Sequence, residues 1–285
     1  MNHQIVKLLP GLYFVATPLG TARDITLRAL DVLASADLIA AEDTRSLRRL
    51  LEIHGVPLQD RQVISYHDHS GAGARGRLMA ALAEGQSVAY ASEAGMPLIA
   101  DPGYALAREA SEAGYRVTSA PGATAVTTAL ALAGLPTDAF FFAGFLPNST
   151  TARRKRLEEV RTIPGTLAFY ESPKRVAASL ADIAEVLGDR PAAMCRELTK
   201  KFEEIRRGTL LQLAADLANA PVKGEIVLLV DRAGLDAVSD GDLESALRTA
   251  LKENSVKDAA ALVAEAHEQP RRKIYQLALQ LAKES

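Results

Sequence analysis

Short apolar runs alternate with amphipathic segments along most of this 285-residue chain, and this alternation limits its fold more than any other feature. Runs such as Leu12–Ala16, Leu38–Ala41 and Ser87–Ala91 have strand length, and a segment with helical spacing follows each. Strand–helix–strand repetition predicts βαβ units and a mostly parallel sheet. The pattern starts again after Pro121, where an Ala-rich helix over Thr124–Ala133 leads into further strand–helix pairs.

The restart predicts two α/β domains, over residues 1–120 and 121–233. In the second domain, Phe202–Gly208 and Glu225–Asp231 are predicted to pair as later strands. Residues 234–241 resemble a linker, and no strand signal follows it. A third domain over residues 239–285 is therefore predicted to be all-helical and similar to a helix-turn-helix. Its predicted helices are Asp242–Lys252, Val256–Glu268 and Arg271–Ala282.

Composition excludes several classes of protein. A net charge of −2 excludes a globally basic nucleic-acid-binding surface but leaves room for local basic patches. Cys195 is the only cysteine, which excludes an intramolecular disulfide, and we expect it to be buried. The sequence contains no run of about 18 apolar residues that would predict a membrane span, and it contains no signal-peptide pattern. We therefore expect a cytoplasmic protein. The sequence contains neither the Gly-x-Gly-x-x-Gly fingerprint of a Rossmann dehydrogenase nor the P-loop of a Walker ATPase, which argues against both classes.

Three turns rich in Gly, Pro or small residues each follow a predicted strand: Ala16–Gly20, Ser92–Gly103 and Pro121–Ala125. The second is longer than most strand-to-helix loops, which favours a functional role. In an open parallel sheet such loops meet outside the carboxyl ends of the strands, where ligands bind. We therefore expect the three turns to share one binding edge.

Further motifs accompany these turns, in order, between residues 11 and 231: Ala41–Arg45, Tyr66–His69, Phe169–Arg175, Cys195–Lys200 and Lys223–Glu225. The whole set resembles the tetrapyrrole-methylase superfamily of S-adenosylmethionine-dependent methyltransferases. Within it, the chain is most similar to the family that methylates a cytidine 2′-hydroxyl in the decoding region of 16S rRNA. The C-terminal helices also resemble that family's helix-turn-helix.

The resemblance implies two αβα lobes that hold S-adenosylmethionine in the cleft between them, followed by the helical module. It also implies a homodimer and a substrate of 16S rRNA within the 30S subunit. Porphyrin-binding members often carry Gly-Asp-Pro where this chain has Gly95-Met96-Pro97, which argues against a tetrapyrrole substrate. The cofactor-binding residues carried over by motif are Pro18, Ala94, Gly95, Met96, Ile99, Thr124, Ala125, Tyr170, Glu171 and Leu198.

Methyl transfer to a ribose hydroxyl requires alignment of the reacting atoms and gains from a base that accepts the proton. We expect a carboxylate of Glu42, Asp43 or Glu171 to act as this base. The Glu42–Asp43 pair is equally suited to cap the helix that begins near Thr44. Further base candidates near the same edge are His67, His69, Glu93, Asp101 and Glu197.

The two histidines leave several interpretations open, because His67 and His69 would point the same way on a strand. Ordinary hydrogen bonding, RNA contact or catalysis, and metal binding all fit that placement. No third ligand is evident and methyl transfer needs no metal, so we expect no metal site.

Basic clusters open two predicted helices, where they fit either phosphate binding or a solvated face. With only 5% aromatic residues and no tryptophan, base stacking is not expected to be the main source of RNA affinity, so binding should depend strongly on salt. The expected RNA-binding residues are Arg45, His67, His69, Arg153, Arg154, Lys155, Lys174, Arg175, Arg271, Arg272 and Lys273.

Two other functions are compatible with these features. One is a methyltransferase that acts on a tetrapyrrole or another small molecule. The other is a ribosome-assembly factor that binds RNA and keeps a vestigial cofactor cleft. The basic clusters and C-terminal helices favour RNA, and the complete set of cofactor turns favours an enzyme.

Overall fold

The first half of the chain forms a five-stranded parallel sheet in the computed structural model, which describes residues 2–67, 71–233, 240–252, 254–267 and 269–284. Its strands lie in the order β3-β2-β4-β1-β5, and all neighbours pair in parallel. Every residue of β1 and β4 is buried, as in sheets covered on both faces. The predicted parallel sheet is confirmed here. The strands are β1 (Gly11–Val15), β2 (Leu38–Ala41), β3 (Val63–Ser65), β4 (Ser87–Ala91) and β5 (Val117–Ala120).

Helices cover both faces of this sheet because successive side chains of each strand point to opposite sides. Tyr13 and Val15 of β1 pack in a core with α1 and α2, whereas Leu12 and Phe14 pack in a second core with α3 and α4. The Thr26 hydroxyl caps α1 by accepting the Ala29 N–H. The helices are α1 (Leu27–Ser35), α2 (Thr44–Ile53), α3 (Gly71–Ala83) and α4 (Tyr104–Glu112).

The second half forms another five-stranded sheet, in the order β6-β7-β10-β8-β9. Only β6 and β7 pair in parallel, so a mostly parallel sheet is wrong for this half. The predicted pairing of Phe202–Gly208 with Glu225–Asp231 is also wrong. A short connection makes β8 and β9 an antiparallel hairpin, and β10 then occupies the place between β7 and β8. The strands are β6 (Phe140–Phe145), β7 (Thr166–Glu171), β8 (Pro191–Arg196), β9 (Glu204–Thr209) and β10 (Ile226–Val230).

Helices also cover both faces of the second sheet, which gives the predicted pair of αβα lobes. One core joins the sheet to α5, and another joins it to α6, α7 and α8. Because α5 packs on the second sheet, the division near residue 120 stays a prediction that this packing favours. The helices are α5 (Ala125–Ala133), α6 (Thr150–Val160), α7 (Val176–Leu187) and α8 (Leu210–Asn219).

The C-terminal module consists of three helices: α9 (Asp240–Ala250), α10 (Val256–Ala266) and α11 (Arg271–Glu284). They enclose a small core that includes Leu247 and Ile274. Residues 234–239, most of the predicted linker, lie outside the described residues. Within the described ranges, no helix is both long and apolar enough to span a membrane.

Candidate active site

A cleft of about 370 Å³ is lined by residues of both lobes. The first lobe contributes residues that follow the carboxyl ends of its parallel strands. The second lobe contributes the ends of β6, β7 and β8 and, because β10 runs in the opposite direction, the beginning of β10. The strand directions of both sheets therefore bring loops to the place where open α/β sheets bind ligands.

The three predicted turns meet at this cleft. Thr17, after β1, exchanges two backbone hydrogen bonds with Gly95, with N···O distances of 2.9 and 3.0 Å. Gly95 has φ of +83°, and an added Cβ would lie 3.2 Å from Leu19, so glycine suits this close approach. Leu98 and Ala100, in the same loop as Gly95, also have positive φ, a strained conformation that is common at functional sites.

Apolar residues of the second lobe line the enclosed side of the cleft. Cys195, Leu198, Ile226 and Val227 are all buried. Burial raises the pKa of the Cys195 thiol to about 11, so the thiol stays protonated near neutral pH. The expectation of a buried Cys195 agrees with this geometry.

Carboxylates line the polar side of the cleft: Glu42, Glu93, Asp101 and Glu225. Partial burial and the neighbouring charges of Glu42 and Asp43 raise the pKa of Glu93. One carboxylate oxygen of Glu42 accepts the backbone N–H of Glu93 at 3.0 Å, which holds the two residues together. Burial, Asp101 and Glu225 raise the pKa of Tyr170 to about 12, so its hydroxyl remains a donor. The cleft is therefore suited to a ligand with positive charge.

Most of the predicted cofactor-binding residues line this cleft. Pro18 does not: it is buried beside Thr17, whose backbone pairs with Gly95. Sequence reasoning did not name Leu19, although it lies in the predicted Ala16–Gly20 turn, and it missed Phe145, Ile226 and Val227, whose place at the cleft depends on strand pairing in the second sheet. The predicted residues that do line the cleft are Ala94, Gly95, Met96, Ile99, Thr124, Ala125, Tyr170, Glu171 and Leu198.

Of the three predicted catalytic carboxylates, Glu42 and Glu171 line the cleft and Asp43 does not. Asp43 caps α2 by accepting the N–H groups of Arg45 and Ser46, at 2.7 and 3.1 Å. These hydrogen bonds, with Ser46 the larger influence, lower the pKa of Asp43 and make it a weak base. The capping alternative therefore describes Asp43.

Glu171 lines the cleft, but its carboxylate is buried and fully engaged. Its oxygens accept hydrogen bonds from the Ser172 N–H at 2.7 Å, the Ser179 hydroxyl at 2.6 Å and the Arg175 guanidinium at 3.1 Å. Arg175 also donates to the Leu146 carbonyl at 2.5 Å and to the Asn148 side chain. Arg175, predicted to bind RNA, instead joins the loop after β6 to the end of β7.

Arg153 and Arg154, predicted to bind RNA, likewise form ion pairs with acidic residues of the protein itself. Arg153 is only 4% exposed and forms an ion pair with Asp182 at 2.5 Å. Arg154 contacts the other Asp182 oxygen at 2.9 Å and makes two hydrogen bonds to Glu185. The start of α6 therefore packs against α7, and of this basic cluster only Lys155 is exposed. Sequence spacing gives no sign of this, because the acidic partners lie almost 30 residues away.

The other predicted RNA-binding residues lie at the surface. Arg45, at the start of α2, has a side chain that is 92% exposed, and it lies three positions after the cleft-lining Glu42. His69 lies outside the described residues, so the histidine pair is not described. The remaining exposed members are His67, Lys174, Arg271, Arg272 and Lys273. Over the described ranges, no three His, Cys, Asp or Glu side chains are grouped as a metal ion would require.

A small contact between the lobes lies next to the cleft-lining Leu198. The Thr21 N–H donates to the Thr199 hydroxyl at 3.2 Å, and the Thr21 hydroxyl donates to the Thr199 carbonyl at 2.5 Å. Thr199 has φ of +62°. The adjacent Lys200 ammonium bonds to Glu197 and Glu225 at 3.0 and 2.9 Å. Burial lowers the pKa of Lys200, but these hydrogen bonds outweigh it and raise the pKa overall.

Two family models match the chain and together cover most of its length. Residues 11–214 match Tetrapyrrole (Corrin/Porphyrin) Methylases, and residues 237–282 match the RsmI C-terminal HTH domain. The second match begins at residue 237, within the predicted linker.

Curated relatives named ribosomal RNA small subunit methyltransferase I align with nearly the whole chain. The Mesorhizobium japonicum protein is 47% identical, over 96% of this chain and 93% of its own length. The Escherichia coli O157:H7 protein is 45% identical, over 98% of each chain. The Vibrio cholerae protein is 44% identical, also over 98% of each.

Solved structures of lower identity share the two-lobed fold. Cobalt precorrin-4 methyltransferase has a TM-score of 0.59 at 18% identity, over 77% of this chain and 94% of that one. The uroporphyrin-III C-methyltransferase of Thermus thermophilus, solved with S-adenosyl homocysteine, has a TM-score of 0.54 at 17% identity, over 77% and 97%. The fold, the family models and the close relatives agree: the chain belongs to the tetrapyrrole methylase family, and within it to the ribosomal RNA small subunit methyltransferase I family.

Proposed function

We propose that this protein transfers the methyl group of S-adenosylmethionine to the 2′-hydroxyl of a cytidine in the decoding region of 16S rRNA. The observation that carries the proposal is the 41–47% identity, over 78–98% of this chain, to relatives named for methylation of small-subunit ribosomal RNA. The RNA partner is consistent with a cytoplasmic protein, and we propose that the 30S subunit is the form of RNA it meets. The homodimer that the motif resemblance implies is part of the same proposal.

The cleft fits S-adenosylmethionine in size and charge. Its volume lies within the range of small-molecule sites, and its apolar wall next to a few polar groups is typical of them. The cofactor carries a sulfonium and an ammonium group, and Glu42, Glu93 and Asp101 supply the opposite charge. Ala94, Gly95 and the other cleft-lining residues carried over by motif are those we propose to hold it.

S-Adenosylmethionine supplies an electrophilic methyl group when it is bound. As the new C–O bond forms and the S–C bond breaks, the acceptor hydroxyl must lose its proton. We assign the proton to the Glu93 carboxylate, which lines the cleft and has a raised pKa, because a base works best when its pKa approaches the working pH. Glu42 positions Glu93 through the 3.0 Å contact to its backbone N–H.

The exposed cations supply the RNA-binding surface in this proposal. Arg45 lies beside the cleft, and Lys155 and Lys174 lie on the second lobe. Arg271, Arg272 and Lys273 begin α11, where the positive end of the helix dipole adds to the attraction for phosphate. Phosphate contacts of this kind position the RNA, while the cleft selects the reacting nucleotide.

Transfer of a tritiated methyl group tests the proposal. The protein is incubated with labelled S-adenosylmethionine and, in separate reactions, unmethylated 30S subunits, naked 16S rRNA or a tetrapyrrole. We expect label in the 16S rRNA of 30S subunits. Label in the tetrapyrrole alone would contradict the RNA substrate, and RNA binding with neither labelling nor cofactor binding would indicate an assembly factor.

A further inference from the structure

Strand β6 carries four phenylalanines but uses only two of them in the protein core. Phe141 packs against the core on one face of the second sheet, and Phe142 packs against the core on the other. Phe145, the last residue of the strand, belongs to neither core and is 60% exposed. Because β6 is the edge strand of its sheet, no neighbouring strand covers this end.

A backbone irregularity directs Phe145 into the cleft. The pairing of β6 with β7 shifts register between Phe142 and Phe145, and the intervening Gly144 has φ of +71°. A bulge with a left-handed glycine bends a strand and redirects the side chain that follows it. Phe145 is thereby displaced from regular alternation and lines the cleft.

Contacts with Tyr170 hold the Phe145 ring in place. The two rings meet edge to face, with centroids 5.4 Å apart. Phe142 packs against the same Tyr170 ring at 4.8 Å, so two half-buried rings support the exposed one. An apolar ring that is fixed beside a ligand site and still exposed is placed for a partner that arrives later.

We infer that Phe145 stacks against the base of the acceptor nucleotide and thereby places its ribose hydroxyl in the cleft. The inference rests on the proposed function. Among the large apolar residues that line the cleft, Phe145 and Ile99 are the exposed ones, whereas Leu198, Ile226 and Val227 are buried. The buried residues offer the cofactor an enclosed apolar surface. An unstacked base of a large RNA can reach only the exposed rim, where a flat aromatic face would receive it.

This role differs from general RNA affinity. The chain has few aromatic residues, and phosphate contacts still supply most of the binding. A single stacked base adds alignment at the reacting nucleotide, where small displacements reduce the rate strongly. Stacking accepts any base, so Phe145 fixes the position of the nucleotide rather than its identity.

Substitution of Phe145 tests the inference, with Phe140 as the matched control. Phe140 is on the same strand and 46% exposed, but it does not line the cleft. Phe145→Ala should raise the KM for 30S subunits by about 5- to 150-fold, the range expected for one stacked base. Phe145→Trp should keep the KM near that of the natural protein, while Phe145→Leu, which is apolar but not aromatic, should behave like Phe145→Ala. Phe140→Ala should leave the KM for 30S subunits unchanged.

Cofactor binding, measured by calorimetry on the same variants, separates the outcomes. We expect Phe145→Ala to leave the Kd for S-adenosylmethionine unchanged. A raised cofactor Kd with an unchanged KM for 30S subunits would assign the ring to the cofactor adenine and overturn the inference. Natural KM values for both Phe145→Ala and Phe145→Leu would also overturn it. If the natural protein labels no RNA at all, the proposed function fails first, and the inference fails with it.

Discussion

Replacement of Arg153 should destabilise the protein rather than weaken RNA binding directly. Arg153 reaches the same Asp182 oxygen with two nitrogens, at 2.7 and 2.5 Å, and the two side chains are 5% and 8% exposed. It also donates to the Pro147 and Asn148 carbonyls at 3.3 and 3.1 Å. Its removal leaves the Asp182 charge with Arg154 as its remaining ion-pair partner, at 2.9 Å.

The size of the loss follows from this geometry. Removing one partner of a buried ion pair costs about 3–5 kcal/mol in the free energy of unfolding. Because Arg154 still contacts Asp182, we expect Arg153→Met to fall near the lower limit, about 3 kcal/mol. That is a large part of the roughly 5–15 kcal/mol that stabilises a typical protein.

Urea unfolding followed by circular dichroism measures the effect, and Lys155→Ala is the control. Lys155 is exposed on the same helix, so its loss should change stability by less than about 0.5 kcal/mol. The double variant Arg153→Met/Asp182→Leu should recover much of the stability, since an apolar pair of similar volume replaces the ion pair. A loss below about 1 kcal/mol for Arg153→Met, together with weaker RNA binding by the folded variant, would refute this reasoning.

Three further variants probe the cleft. Glu93→Gln should lower the single-turnover rate by about 100-fold or more and remove its rise with pH; an unchanged rate would exclude Glu93 as the base. Because the folded state raises the pKa of Glu93, its stabilising contribution is present at low pH and lost as pH rises through that pKa. Thermal unfolding at neutral pH should therefore show Glu93→Gln to be the more stable protein, and the difference should disappear in acid. Thr199→Val removes the hydroxyl that accepts the Thr21 N–H, and calorimetry should show a several-fold higher cofactor Kd. An unchanged Kd would show that this contact does not contribute to cofactor binding. Gly224→Ala places a Cβ 2.5 Å from the Glu197 carboxylate at a φ of +95°, so we expect a stability loss of about 1–3 kcal/mol and weaker cofactor binding; a neutral result in both assays would contradict the packing described.

Local patterns in the sequence predicted the elements well because the signals that end them are themselves local. Leu38–Ala41 and Ser87–Ala91 agree with the structure at both ends. The order of strands in the second sheet was not predictable in this way, since it depends on how β8 and β9 form a hairpin. An alternation of strands and helices carries no information on strand direction once a hairpin interrupts it.

The candidate site likewise has features that local sequence predicts and features that depend on contacts distant in the sequence. The long Gly- and Pro-rich segment after a strand indicated a functional loop, and the family resemblance implied its residues Ala94, Gly95, Met96 and Ile99. Whether the charged residues are exposed or paired could not be predicted, since a basic cluster has the same sequence whether it faces solvent or pairs with Asp182. Phe145 escaped notice because the bulge that brings it to the cleft depends on its pairing with β7.

The position of the transferred methyl group tests the central claim most directly. Unmethylated 30S subunits are incubated with the protein and S-adenosylmethionine, and fragments of the 16S rRNA are then analysed by mass spectrometry. The account predicts one additional methyl group, on the ribose 2′-oxygen of a single cytidine in the decoding region, and its loss with Glu93→Gln. A methyl group on a base, or an unmodified RNA in the presence of a protein that binds the cofactor, would contradict it.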